Sequence, residues 1–212
     1  TLGSLVHKAL ELGVEMHEEA LWGLVESKWH TLSFESKWLE EVGERKAKRM
    51  ISNMVQYLRK FDAEGAKVIG REVNFEFELG RARVRGQVDR LELYPDGRVM
   101  IVDLKTGATS VTADEAKKHP QLGLYQLAFE NGAFDSANGN DEVIWPADFD
   151  PKTAKLAGAK LLLVSGDKPT EREQGSIAED SSAKQKFESI VAAATRGMAM
   201  TEQVFVAQVG SH

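Results

Sequence analysis

Residues 86–105, GQVDRLELYPDGRVMIVDLK, decide how this chain folds. Pro95-Asp96-Gly97 is a strong turn signal between two strand-like runs, 81–94 and 98–105. A tight turn there pairs the runs antiparallel, and counting outward from it sets Asp89 beside Asp103. Side chains alternate along a strand, so Asp103 and Lys105 project from one face while Val102 and Leu104 supply a core-facing side. An unpaired carboxylate or ammonium is costly in apolar surroundings, so the face with Asp103 and Lys105 is expected to stay partly open. Two adjacent carboxylates repel unless a cation or proton lies between them. A hard divalent cation such as Mg2+ or Mn2+ removes that repulsion through oxygen ligands. Lys105, one pleat beyond, is placed to stabilise developing negative charge or to orient a water. Together these groups suit metal-assisted attack of water on a phosphodiester. The competing interpretation is a plain Asp–Lys surface pair on an exposed strand.

Upstream, 67–79 (KVIGREVNFEFEL) alternates Val73, Phe75, Phe77 and Leu79 with Glu72, Asn74, Glu76 and Glu78, a half-buried strand ending at the Gly80 turn. Three strands joined by tight turns make an antiparallel meander. Helical spacing of apolar residues marks 2–12, about 17–29 and about 36–60 before it, and 182–198 near the end. Residues 113–130 read as a helix broken or begun near Pro120. Residues 131–158 read as an irregular insertion, 159–165 (AKLLLVS) as a buried strand and 166–181 as a polar loop. The expected architecture is one mixed α/β domain over 1–212, its central mixed sheet built from the meander and flanked by helices.

A chain of 212 residues with 42% hydrophobic and 28% charged residues is globular rather than disordered or collagen-like. Without cysteine it has no disulfides, zinc–thiolate sites, thiol nucleophiles or cysteine-held iron–sulfur clusters within these residues. No apolar run approaches the roughly 18–20 residues of a membrane span and no signal peptide opens the chain, so a cytoplasmic protein without membrane contact is expected. A net charge of −6 argues against a general nucleic-acid coat, yet positive charge gathers locally. Residues 43–60 hold Arg45, Lys46, Lys48, Arg49, Arg59 and Lys60 against Glu44 alone, and Arg81, Arg83 and Arg85 alternate along the second strand. Both are candidate phosphate contacts, and the arginine row shares parity with Asp89. The four tryptophans read as core residues rather than base-stacking platforms. The chain opens on Thr1 and its tail, 205–212, brings no closing element, the pattern of a domain excised from a larger protein.

Four short motifs occur in order: Gly3-x-x-x-His7-x-x-Leu10, Gly86-x-x-Asp89, Val102-Asp103-Leu104-Lys105-Thr106-Gly107 and Gln121-x-x-x-Tyr125. The set, over residues 3–129, resembles the RecB-like branch of the PD-(D/E)xK nuclease superfamily, although Val88 stands where a proline usually precedes the first acidic residue. That resemblance implies a restriction-endonuclease-like fold and a Mg2+- or Mn2+-dependent deoxyribonuclease, with exonuclease action favoured over endonuclease action. It implies that Asp89, Asp103 and the Leu104 carbonyl bind the metal, that His7 reaches it from the first helix, and that Lys105 is the catalytic lysine. Gln121 and Tyr125, one helical turn apart, would line the DNA path, with Arg81, Arg83 and Arg85 as further DNA contacts. The resemblance also implies partners: single-stranded DNA ends, and helicase domains of a recombination and repair machine. No G-x-x-x-x-G-K-[ST] loop occurs here, so ATP binding would lie elsewhere. Phe205-x-Ala207 looks like the approach to the cluster cysteines of some relatives. Glu72 resembles an acidic position seen before the meander, but its place in the Glu–apolar alternation reads as a solvated face, outside the site. The rival class is a catalytically silent DNA-binding or scaffold domain.

Overall fold

The Pro95-Asp96-Gly97 turn closes as its residues demand. In the computed structural model Gly97 takes φ 81°, its N–H meets the Tyr94 carbonyl at 2.9 Å, and the Tyr94 N–H meets the Arg98 carbonyl at 2.8 Å. Asp96 fastens the turn by accepting from the Arg98 N–H at 3.0 Å. The structure describes residues 1–12, 17–108, 110–135 and 140–199. The Phe205-x-Ala207 tail lies outside them.

The turn joins β2 (Ala82–Leu93) to β3 (Arg98–Lys105), and Gly80, at φ 62°, turns β1 (Lys67–Leu79) into β2. Both pairings are antiparallel, as the meander predicts. Two further strands, β4 (Lys155–Leu163) and β5 (Thr170–Gly175), complete a five-stranded sheet in the order β1-β2-β3-β4-β5. The Lys155 N–H bonds the Gly97 carbonyl at 3.1 Å and the Val164 N–H bonds the Lys105 carbonyl at 3.2 Å. The partners advance in the same direction, so β4 runs parallel to β3. A parallel pair needs a long crossover, here the chain between Lys105 and Lys155, which carries α4 (Ala113–Ala116) and α5 (Pro120–Glu130). Residues 117–119 separate these two helices, and Pro120 opens the second where its missing N–H costs nothing.

Three expectations need adjusting. The strand at 159–165 begins at Lys155, inside the supposed insertion, which also holds a 3-10 turn at Pro151–Thr153. The supposed loop 166–181 contains β5. Its sequence, TEREQG, shows no apolar alternation because it is the edge strand at one end of the sheet and only Gln174 of its side chains is buried.

The chain divides into two compact units. The first draws on residues 1–66, 104–110 and 162–172 and holds α1 (Leu2–Leu12), α2 (Glu18–Ser27) and α3 (Lys37–Ala63). Ser36 caps α3 by accepting the Leu39 N–H at 3.3 Å. On its inner face α3 buries Ala47, Met50, Ile51, Met54, Val55 and Leu58. Asn53, also buried, donates to the Val164 and Gly166 carbonyls at 2.8 and 2.9 Å.

The second unit draws on 67–103, 111–161 and 173–212, and holds the meander, α4, α5 and α6 (Ser181–Ala199). Its core gathers Val73, Phe75 and Phe77 of β1, Val88 and Leu91 of β2 and Ile101 of β3 with Leu122 and Tyr125 of α5 and Phe187 of α6. Arg90, Glu92 and Lys160 are buried as an ionic cluster in the same unit. The Glu92 carboxylate accepts from Arg90 Nε at 2.6 Å and lies 3.7 Å from Lys160 Nζ, so its desolvation is offset by two cations.

Candidate active site

The register that pairs Arg90 with Val102 sets Asp89 across from Asp103 one step further along. On the other side of β2, Arg71 pairs with Arg90 and Val73 with Val88, which sets Glu72 across from Asp89. Three neighbouring strands thus present a row of carboxylates: Glu72, Asp89, Asp103. The Glu72 and Asp89 side chains each bring a carboxylate oxygen within 4.8 Å of the other.

Glu72 is the residue that sequence alternation misplaced. It is half-buried rather than solvated, and its backbone takes φ 49°, the only positive φ among the described non-glycine residues. A left-handed conformation costs a Cβ-bearing residue about 1–2 kcal/mol. Such strain persists only where surrounding contacts hold it, and it concentrates at functional positions. Here Gln87 Nε2 donates to the Glu72 carbonyl at 3.0 Å. Period-two reasoning could not register this kink; the one signal was the place of an acidic residue just ahead of the alternating run.

Asp103 departs from expectation too. It is 3% exposed, so its face is closed over rather than open. Its Oδ1 accepts from Gln121 Nε2 at 2.9 Å and from the Tyr125 hydroxyl at 3.1 Å, and those charge-assisted bonds compensate for the lost water. Gln121 and Tyr125 are themselves bonded at 2.7 Å. Burial, then the Asp103 and Asp89 carboxylates, pushes the Tyr125 phenol well above its ordinary range, against a smaller opposing effect from Gln121. Tyr125 therefore stays protonated and donates. Val102 and Leu104 are buried as well, so β3 is enclosed on both faces here.

Packing behind this clasp explains two residues of the motifs. Tyr125 stands edge-on to Phe75, with ring centroids 5.9 Å apart. Phe75 lies across from Gly86, and a Cβ on Gly86 would come within 2.5 Å of its ring. Gly86 thus lets Phe75 seat Tyr125, which in turn holds Asp103. At the start of α5, Gln174 of β5 directs its Nε2 among the carbonyls of Ala116, Lys117 and His119 at 3.0–3.2 Å. Its Oε1 accepts from Gln126 Nε2 at 2.9 Å. This buried glutamine fixes the turn from which Gln121 emerges. It lay in the stretch read as loop.

Tyr125, on Phe75's face of the sheet, reaches Asp103 there, whereas Arg83 and Arg85 stand on the opposite face, both bonded to Glu76. The shared parity with Asp89 fails because Val88 and Leu91, three residues apart, enter the same core. Arg81 is exposed at the turn. The row does not join the carboxylates.

In the helical unit, Leu104 is buried, and Lys105 and His7 are half-buried. A Cβ on Gly3 would come 2.6 Å from Thr106 Oγ1, so the glycine that opens the first motif permits α1 to lie against the residue after Lys105.

Glu72 and Asp89, oxygen donors whose carboxylates approach within 4.8 Å of each other, suit a hard divalent cation. No curated protein matches the chain. A family model described as the PD-(D/E)XK nuclease superfamily matches residues 1–208.

Proposed function

The chain belongs to the PD-(D/E)XK nuclease superfamily, and from that membership we propose that it is a Mg2+- or Mn2+-dependent deoxyribonuclease of the RecB-like branch, acting on single-stranded DNA ends. The superfamily makes it a nuclease of restriction-endonuclease-like fold; members generally use divalent metals, and such a fold implies DNA binding. Among the described residues no helix is long and apolar enough to cross a membrane.

One observation carries the reading. Asp103, buried and fixed by two donors, stands across from Asp89, whose charge also acts on Tyr125. A buried carboxylate held in one orientation beside a second one is expensive to maintain without a cation to share. We assign Asp89 and Asp103 as metal ligands, Glu72 as a third acidic group at the same position, and the Leu104 carbonyl and His7 as further ligands. When bound, the metal supplies Lewis-acid polarisation of a phosphoryl oxygen and a water of lowered pKa. Asp103 keeps one orientation because Gln121 and Tyr125 both address its Oδ1. Tyr125, neutral throughout the working range, adds no competing charge. Lys105, two residues beyond Asp103, is assigned to stabilise negative charge developing on the phosphate. Arg81, Arg83 and Arg85 are assigned no part in the reaction; as DNA contacts they would act from the opposite face.

The resemblance of the four motifs supports a wider setting, the nuclease part of an ATP-dependent helicase–nuclease in recombination and repair, with exonuclease action. Cleavage of single-stranded DNA with Mg2+ or Mn2+ tests the chemistry. Wild type should cut, and Asp103→Ala and Lys105→Ala should lose at least about a hundredfold. Equal cleavage by all three would refute the catalytic assignment. DNA affinity without metal-dependent cutting would favour the silent-domain rival.

A further inference from the structure

We propose that the outer face of α3 is a binding strip for single-stranded DNA, with Trp38 as its base-stacking platform. The proposal rests on the nuclease reading for its choice of nucleic acid, and otherwise on the helical unit alone. Trp38 is 66% exposed, the most exposed aromatic among the described residues of the core and surface. The other aromatics nearby are engaged: Trp22 packs on Trp29 and Trp29 on Phe34, with centroids 5.7 and 5.5 Å apart, and Lys48 Nζ sits 4.6 Å over the Trp22 ring. A solvent-facing indole offers a flat face on which an unpaired base can stack.

Helical periodicity then aligns that ring with charge. Positions 38, 41, 45, 49, 56 and 59 fall on one stripe of α3, opposite the inner face that buries Met50, Met54 and Leu58. The stripe reads Trp38, Glu41, Arg45, Arg49, Gln56, Arg59, every one exposed, with three arginines against one acidic side chain. Arg45 and Arg49 lie one turn (~6 Å) apart, and the stripe runs about 31 Å from Trp38 to Arg59. Arg49 is joined to fully exposed Asp167 by a 3.5 Å contact, a pair weak enough to exchange for phosphate. The chain as a whole carries −6, so the excess of five positive charges over residues 43–60 is a local feature. A solvent-facing tryptophan in line with arginines suits a strand whose bases are unstacked, and does not suit a duplex, whose bases offer no free face. An apolar protein partner would leave the arginines unmatched.

The test is equilibrium binding of labelled oligo-dT and of a duplex of equal length to the whole chain, in EDTA so that nothing is cut, across a salt series. Expected results are about tenfold weaker oligo-dT binding for Trp38→Ala, near-full retention for Trp38→Phe, and quenching of tryptophan fluorescence in wild type that Trp38→Ala diminishes. Arg45→Ala with Arg49→Ala should lower the slope of log affinity against log salt by about 1.4. All of these positions are on the surface, and unchanged urea melts would exclude misfolding. Unaltered affinity in Trp38→Ala, or a duplex bound as tightly as oligo-dT with the same dependence on Trp38, overturns the proposal. So does absence of binding by wild type. Cleavage by wild type and Asp103→Ala, measured separately with saturating DNA, judges the nuclease reading: lost binding in Trp38→Ala with cleavage insensitive to Asp103→Ala would sink the nuclease and keep the strip.

Discussion

Removing a single oxygen, by Tyr125→Phe, probes the clasp on Asp103 directly. The ring remains against Phe75, so packing changes little, but Asp103 loses a donor at 3.1 Å and Gln121 loses an acceptor at 2.7 Å. A hydrogen bond to a charged group contributes about 1.5–3 kcal/mol, and Gln121 keeps its bond to Asp103, so the loss at pH 7 should be about 1–2 kcal/mol. For a chain of this size that lowers Tm by roughly 2–8 °C. The penalty should shrink in alkali. Burial and the two carboxylates raise the folded phenol's pKa, so its contribution is fully present below the unfolded value, about 10, and is lost as pH rises toward the folded one. At pH 11 ionisation of the unfolded phenol favours unfolding by about 1.4 kcal/mol, which the phenylalanine variant escapes. Urea melts of both proteins at pH 7, 9, 10 and 11 should therefore converge near pH 11. Tyr57 and Tyr94 are present in both and cancel. A difference that stays constant from pH 7 to 11 would refute a buried, neutral Tyr125 beside two carboxylates.

Other substitutions separate the supports of the site. Glu72→Gly should raise stability without metal by about 0.5–1 kcal/mol, by relieving φ 49°, yet reduce the rise in Tm on adding Mg2+ or Mn2+; an undiminished metal-induced rise would remove Glu72 from the site. Gly86→Ala drives a methyl into Phe75 and should cost about 1–3 kcal/mol in urea melts, with cleavage falling further than stability explains. Gln174→Ala strips the turn before α5 of its donor and should cost about 1–3 kcal/mol, with amide exchange rising at residues 117–121. Glu92→Gln leaves Arg90 and Lys160 buried without their counter-charge, and a loss of about 3–5 kcal/mol is expected by denaturant titration.

What the sequence revealed follows from which signals are local. The turn at Pro95-Asp96-Gly97 fixes a register, and a register fixes neighbours, so Asp89 and Asp103 could be paired by counting. Helices with apolar stripes, such as α3, were equally plain. Nothing local distinguished β5, whose charged edge looks like loop, or Gln174, whose partners lie 48 to 58 residues upstream. Glu72 was hidden by a regular pattern that the backbone breaks at that residue. The burial of Asp103 was missed because its compensation comes from α5, and the arginine row was assigned to the wrong face because alternation fails between Val88 and Leu91.

The hold of Gln174 on the start of α5 has a bearing on biosynthesis. Asp103 is made 71 residues before Gln174, an interval of about 4–14 s at ordinary translation speed. Until the later glutamine emerges, the helix bearing Gln121 and Tyr125 lacks its anchor and the clasp on Asp103 is unfinished. A ribosome-bound intermediate that has not yet reached β5 would thus hold its carboxylates without their clasp, and the site would be armed only once Gln174 is in place.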